Sequence, residues 1–146
     1  MRFTVAVLVL AALGQGEPAA PPPFDDAAAL AQLRASIAGR EREPAEAVFR
    51  NIQIHKGRPA AALLSIMDVG YRKSLGVHCT HCHNPQDWAS DEKPTKQIAR
   101  DMHRMVRKIV EELLPSIKGL KSERPVVNCT TCHRGQVKPA LDLDTP

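Results

Sequence analysis

Two copies of the pattern Cys-x-x-Cys-His constrain this chain more than anything else in it. One runs Cys79-Thr80-His81-Cys82-His83 and the other Cys129-Thr130-Thr131-Cys132-His133. Cysteines three residues apart lie about one helical turn apart on one face. That spacing suits two thioether bonds to the vinyl groups of one porphyrin. The histidine directly after them projects toward the ring, where its imidazole can bind iron. Each copy thus supplies two attachment points, Cys79 and Cys82 or Cys129 and Cys132, and one axial ligand, His83 or His133. The pattern predicts two covalently bound haem c groups, with iron as the metal.

Other chemistries leave part of the pattern unexplained. Two Cys-x-x-Cys pairs can bind zinc, but 46 residues separate Cys82 from Cys129, against roughly 15–20 in a compact zinc ribbon. Zinc also gives no reason for a histidine directly after both pairs. A thioredoxin-like site requires a βαβ pattern, and the chain has no period-two strand pattern. Structural disulfides suit an exported chain but leave both histidines without a task.

Composition agrees with a bound group. Of 146 residues only five are aromatic: Phe3, Phe24, Phe49, Tyr71 and Trp88. A core with so few large side chains is hard to close by packing alone. The formal charge is +4. Removal of residues 1–16 takes away one cation, Arg2, and no acid, leaving +3. Two haems add propionates enough to bring the holoprotein near neutrality. The basic pI therefore marks ordinary solvated charge and no nucleic-acid partner.

Arg2, an apolar stretch over residues 4–13 and small residues to Gly16 read as a cleaved signal peptide over residues 1–16. The apolar run is shorter than the roughly 20 residues that span a bilayer. The expected location is periplasmic or otherwise extracytoplasmic, with membrane association only through a partner. Residues 17–43 read as a Pro/Ala-rich spacer followed by a helix over residues 25–39. Residues 44–139 read as the dihaem domain and residues 140–146 as a disordered tail. Within the domain, residues 44–56 read as a helix ended by Gly57. Pro59 opens a second helix that runs to Leu75 and stops at Gly76. Residues 84–93 form a polar loop holding Trp88. Pro94 opens a third helix that ends before Pro115. The fold class is mostly α, with two helix–turn–Cys-x-x-Cys-His haem units and extensive loops.

The sixth iron ligands are less determined. Met67, Met102 and Met105 are the available methionines once Met1 is set aside. Met67 shares a face with Leu63, Leu64, Gly70 and Tyr71, and Gly70 would let a flat ring approach. A methionine filling a gap in the core explains that stripe equally well. Met102 and Met105 share a stripe with Ile98, Ile109 and Leu113, and spacing does not choose between them. His103, His55, His78 and His81 are rival ligands. The plainer reading makes them surface or merely polar histidines, with His103 on the charged side of its helix. Methionine opposite histidine raises a haem potential relative to two histidines. It also leaves no free place for oxygen or peroxide, which favours electron transfer over catalysis.

Several stretches resemble the haem units of photosynthetic reaction centre cytochrome c subunits. They are Ala45-Glu46-Ala47-Val48-Phe49-Arg50-Asn51-Ile52 through Lys56-Gly57, Leu75-Gly76-Val77 before the first motif, Lys96-Gln97-Ile98-Ala99-Arg100-Asp101-Met102, and Cys129-Thr130-Thr131-Cys132-His133-Arg134-Gly135. The resemblance is to the N-terminal, two-haem half of a four-haem subunit. It implies that Met67 pairs with His83 at the first haem and Met102 with His133 at the second. It also implies electron transport in a photosynthetic or respiratory chain. The partners would be redox proteins, such as a membrane reaction centre or a respiratory complex, with no small-molecule substrate and no catalytic residue. Apart from the resemblance, Lys93, Lys96, Arg100, Arg104, Arg107 and Lys108 could form a docking face for an acidic partner, and an ordinary solvated helix face is the plainer reading. A dihaem enzyme of the peroxidase kind, with one open iron, is the alternative.

Overall fold

The computed structural model describes residues 24–142. The expected signal peptide, the Pro/Ala spacer over residues 17–23 and the last four tail residues lie outside this range. The described residues are mostly helical and contain no strand, only two isolated bridges, Pro44 to Pro59 and Asn84 to Asp87.

Helix α1 spans Asp26–Ser36. Asp25 caps it, its carboxylate accepting from Ala28 N at 2.9 Å. A capped N-terminus of this kind is worth about 1 kcal/mol. The chain leaves the helix through Gly39 at φ +80°, a conformation glycine adopts without steric penalty. Helix α3, Ala60–Ser65, begins after Pro59, whose φ of −55° suits a helix start. Ile37 at the end of α1 packs with Ala60 and Leu64 of α3, flanked by Leu30, Leu33, Val48, Phe49 and Ala61. The buried apolar residues are three alanines, two leucines and one isoleucine, and no large side chain is fully buried. Such a core removes little apolar surface from water.

Helix α3 continues into a wide, π-type segment, Ile66–Lys73. One extra residue per turn rotates the face that follows, a feature frequent at functional sites. The helix ends at Gly76, φ +64°. Helix α4, Pro94–Lys108, likewise passes into a π segment, Ile109–Leu113, and then a short turn α5, Leu114–Ser116. The third helix therefore runs through Pro115 rather than stopping before it. Pro115 gives no N–H to the turn before it, and the helix ends one residue later, at Ser116.

The helix expected over residues 44–56 is a correction. Only α2, Ala45–Val48, is helical. The backbone then extends at Phe49 (φ −113°, ψ 148°) and turns left-handed at Asn51 and His55. Tertiary bonds override the local preference. Asn51 Nδ2 donates to Ala89 O at 2.6 Å, and Arg50 pairs with Asp87 at 2.9 Å. Gly57 N donates to both oxygens of Glu46, at 3.0 and 2.9 Å, and closes the loop.

Candidate haem sites

The first motif is a single 3₁₀ turn, Cys79–His81, with His83 N donating to Cys79 O at 3.0 Å. Its N-terminal end is capped from a distance. Asp26 of α1 accepts from Cys79 N at 2.9 Å and bonds His78 Nδ1 at 2.8 Å. Burial alone would raise the Asp26 carboxyl, but the bonds from Cys79 and His78 outweigh it and hold it low. Nothing in the sequence marks Asp26 for this task, because an acid at a helix start has a sufficient local role.

A cavity of about 470 Å³ opens beside this turn, and Met67, Cys79, Cys82 and His83 all line it. Gly70 is not on its wall, contrary to the expectation that it admits a flat ring. Tyr71, expected on the same face as Met67, is on the wall. Its hydroxyl bonds His55 Nε2 at 3.1 Å. Burial, then the proximity of Cys129 and Cys82, raises its pKa, so it remains a neutral phenol.

All four thiols are free, and Cys79, Cys82 and Cys129 are pushed toward the neutral form. Burial first, then the Asp26 carboxylate, pushes Cys79 up to about 12. Burial also raises Cys82 and Cys129. A redox pair needs a thiolate near neutral pH, so the surroundings of Cys79 and Cys82 disfavour that role. Among the described residues no three His, Cys, Asp or Glu side chains converge to hold a metal ion. The two Cys-x-x-Cys pairs therefore do not form one zinc site. The donor set that does converge at the cavity is two neutral thiols, an imidazole and a thioether. That set fits a covalently attached porphyrin with an iron between nitrogen and sulfur.

The second motif is helix α6, Cys129–His133, capped by Asn128. Asn128 Oδ1 accepts from Thr131 N and Asn128 N donates to Thr131 Oγ1, each at 3.1 Å. Met102, on α4, is half-buried and Met105 is 46% exposed. Neither they nor Cys129, Cys132 and His133 line the cavity of the first motif.

Both motif histidines share one arrangement. His83 Nδ1 donates to Trp88 O and His133 Nδ1 donates to Gln136 O, each at 3.0 Å. A carbonyl only accepts, so the proton is on Nδ1 and the Nε2 lone pair is free for a metal. Burial foremost, then the charges of Lys96, Arg100 and Lys93, lowers the pKa of His83 despite its bond to Trp88 O. The imidazole therefore stays in the ligating, neutral form.

The second motif touches the helix that leads into the first. Gly135 N donates to Ser74 O at 2.9 Å, and the buried Ser74 hydroxyl bonds Thr130 Oγ1 at 2.6 Å. A Cβ at Gly76 would stand 1.9 Å from Gly135 O. The chain entering the first motif is thus seated against the chain leaving the second.

The expected basic docking face is also corrected. Lys96 and Arg100 are buried. Lys96 Nζ donates to Trp88 O, Ala89 O and Ser90 O, and Arg100 pairs with Asp91 at 2.9 Å. Lys93 donates to Thr80 O. Arg104, Arg107 and Lys108 pair with Asp101, Glu111 and Glu112 on their own helix. Cations so engaged present little free charge to a partner.

Two histidines differ from the expectation as well. His103 is half-buried against His55, with ring centroids 4.2 Å apart. Burial, then the charges of His103, Arg58 and Arg107, lowers His55 to about 4. Burial lowers His103 too. A depressed folded-state value means that the unfolded chain takes up protons first. Stability from this pair is present above the ordinary value of about 6.5 and is lost as pH falls toward 4. Urea titrations of the holoprotein at pH 7 and pH 4.5 are expected to show that loss. His55→Asn is expected to reduce the difference between the two pH values.

No helix among the described residues is long and apolar enough to cross a membrane. Residues 21–142 match the family described as photosynthetic reaction centre cytochrome C subunit. Cytochrome c-554 of Chloroflexus aurantiacus is 36% identical over 83 residues, covering 57% of this chain and 20% of that protein. The photosynthetic reaction center cytochrome c subunit of Thermochromatium tepidum is 31% identical over 96 residues, covering 65% and 22%. The subunit of the same name from Rubrivivax gelatinosus is 30% identical over 76 residues, covering 45% and 21%. The chain spans about a fifth of the length of these curated relatives. With most of its length inside the matched span, and with both Cys-x-x-Cys-His motifs in it, the chain belongs to the photosynthetic reaction centre cytochrome c subunit family.

Proposed function

We propose that this chain is a dihaem c-type cytochrome that carries electrons on the periplasmic side of a photosynthetic or respiratory membrane. Residues 44–139 would hold both haem units after a signal peptide over residues 1–16 is removed. Cys79, Cys82, Cys129 and Cys132 would hold the rings. His83 with Met67, and His133 with Met102, would be the axial pairs. The observation that carries this reading is the matched bond of both motif histidines, which holds each imidazole in the tautomer that ligates through Nε2. Bound haem iron supplies a one-electron couple. The chain's own residues fix the imidazoles and seat the second motif on the helix that leads into the first. The partners would be redox proteins, a reaction centre among them.

The rival is a peroxidase-like enzyme, which needs an iron with an open position. Exposure of the reduced holoprotein to carbon monoxide separates the two. The electron-carrier reading expects no spectral change within minutes at either haem. Rapid binding at one haem would favour the enzyme.

A further inference from the structure

Lys96 lies in the first turn of α4 and is 9% exposed. Burial of an ammonium is unfavourable by several kcal/mol unless its donors are satisfied. Here three carbonyls converge on it: Trp88 O at 3.1 Å, Ala89 O at 3.0 Å and Ser90 O at 2.7 Å. Asp91 Oδ1 lies 3.3 Å away and also takes Arg100 at 2.9 Å. An ammonium has three donors, so the 88–90 carbonyls saturate it. One of them is special. Trp88 O is the same atom that accepts from His83 Nδ1 at 3.0 Å.

Two physical effects follow, and they have the same sign. A carbonyl shared with an ammonium accepts less strongly from the imidazole. The imidazole then keeps less anionic character and is a weaker donor to a metal on Nε2. A buried positive charge beside the site also disfavours the ferric state, which carries one more positive charge than the ferrous. Both effects raise the potential.

We infer that Lys96 is a positioning residue for His83, fixing the carbonyl that orients the imidazole and raising the potential of the first haem. The inference rests on the proposed haem at Cys79 and Cys82. Asp91 opposes the charge of Lys96 and Arg100, so its loss should act in the other direction.

Redox titration of the holoprotein, followed optically, tests this with Lys96→Met, Lys96→Arg and Asp91→Asn. Lys96→Met is expected to shift the first haem's reduction equilibrium at least tenfold toward the oxidised form, about 59 mV for a one-electron couple. The second haem serves as internal reference and should not move. Lys96→Arg, which keeps the charge, should restore most of the shift. Asp91→Asn should raise the first haem's potential. An unchanged first haem in Lys96→Met, equal shifts at both haems, or shifts of the same sign in Lys96→Met and Asp91→Asn would overturn the inference. The last outcome would indicate only a loosened loop. Should Lys96→Met not mature, the sign of the Asp91→Asn shift decides. Failure of the underlying haem reading looks different: wild-type peptide 79–83 would carry no porphyrin mass.

Discussion

Gly76→Ala is expected to be the most damaging small substitution in the chain. Its methyl group would stand 1.9 Å from Gly135 O and 2.9 Å from Gly135 C. Both are backbone atoms, which cannot rotate aside as a side chain can. The residue also holds φ at +64°, which is unfavourable for alanine by about 1 kcal/mol or more. With the steric overlap, a loss on the order of 3 kcal/mol or more is expected, measured by urea unfolding of the holoprotein. The change should also disturb the second motif, because the Gly135–Ser74 and Ser74–Thr130 bonds lie beside the clash. Gly39→Ala is the control. It too has positive φ, at +80°, but has nothing within 4 Å of the added Cβ, so only the backbone contribution remains. Equal losses in the two variants would show that the close approach of Gly76 to Gly135 has no special importance.

Met67→Ala is the second large effect, and it follows from the proposed axial pair. Met67 lines the same cavity as His83. With the thioether gone, the iron held by His83 would have an open position. Carbon monoxide should then bind the reduced variant at one haem of the two, with a fall in that haem's potential. The second haem should keep its wild-type spectrum. If Met67 only fills space, the variant would lose stability as core methionines do and still exclude carbon monoxide.

The sequence made the chemistry legible because the chemistry is local. Two thiols and an imidazole within five residues define a ligand set whatever surrounds them. The helix starts at Pro59 and Pro94 and the stop at Gly76 were legible for the same reason, since proline and glycine act on their own backbone. Residues 44–56 misled because their conformation is decided elsewhere. Asn51 and Arg50 are held by Ala89 and Asp87, nearly forty positions away. Charged residues misled in a similar way. A helical wheel places Lys96 and Arg100 with the solvated cations, but the 88–91 loop folds over them and supplies their acceptors. Asp26 was invisible as a site residue because it acts across the fold, on Cys79.

The central claim is covalent haem at both motifs, and haem counting on the exported, matured protein tests it most directly. A pyridine haemochrome assay paired with intact mass should give two haems per chain. Peptide mapping should place one on Cys79 and Cys82 and one on Cys129 and Cys132. A colourless protein whose mass equals the bare polypeptide would contradict the account.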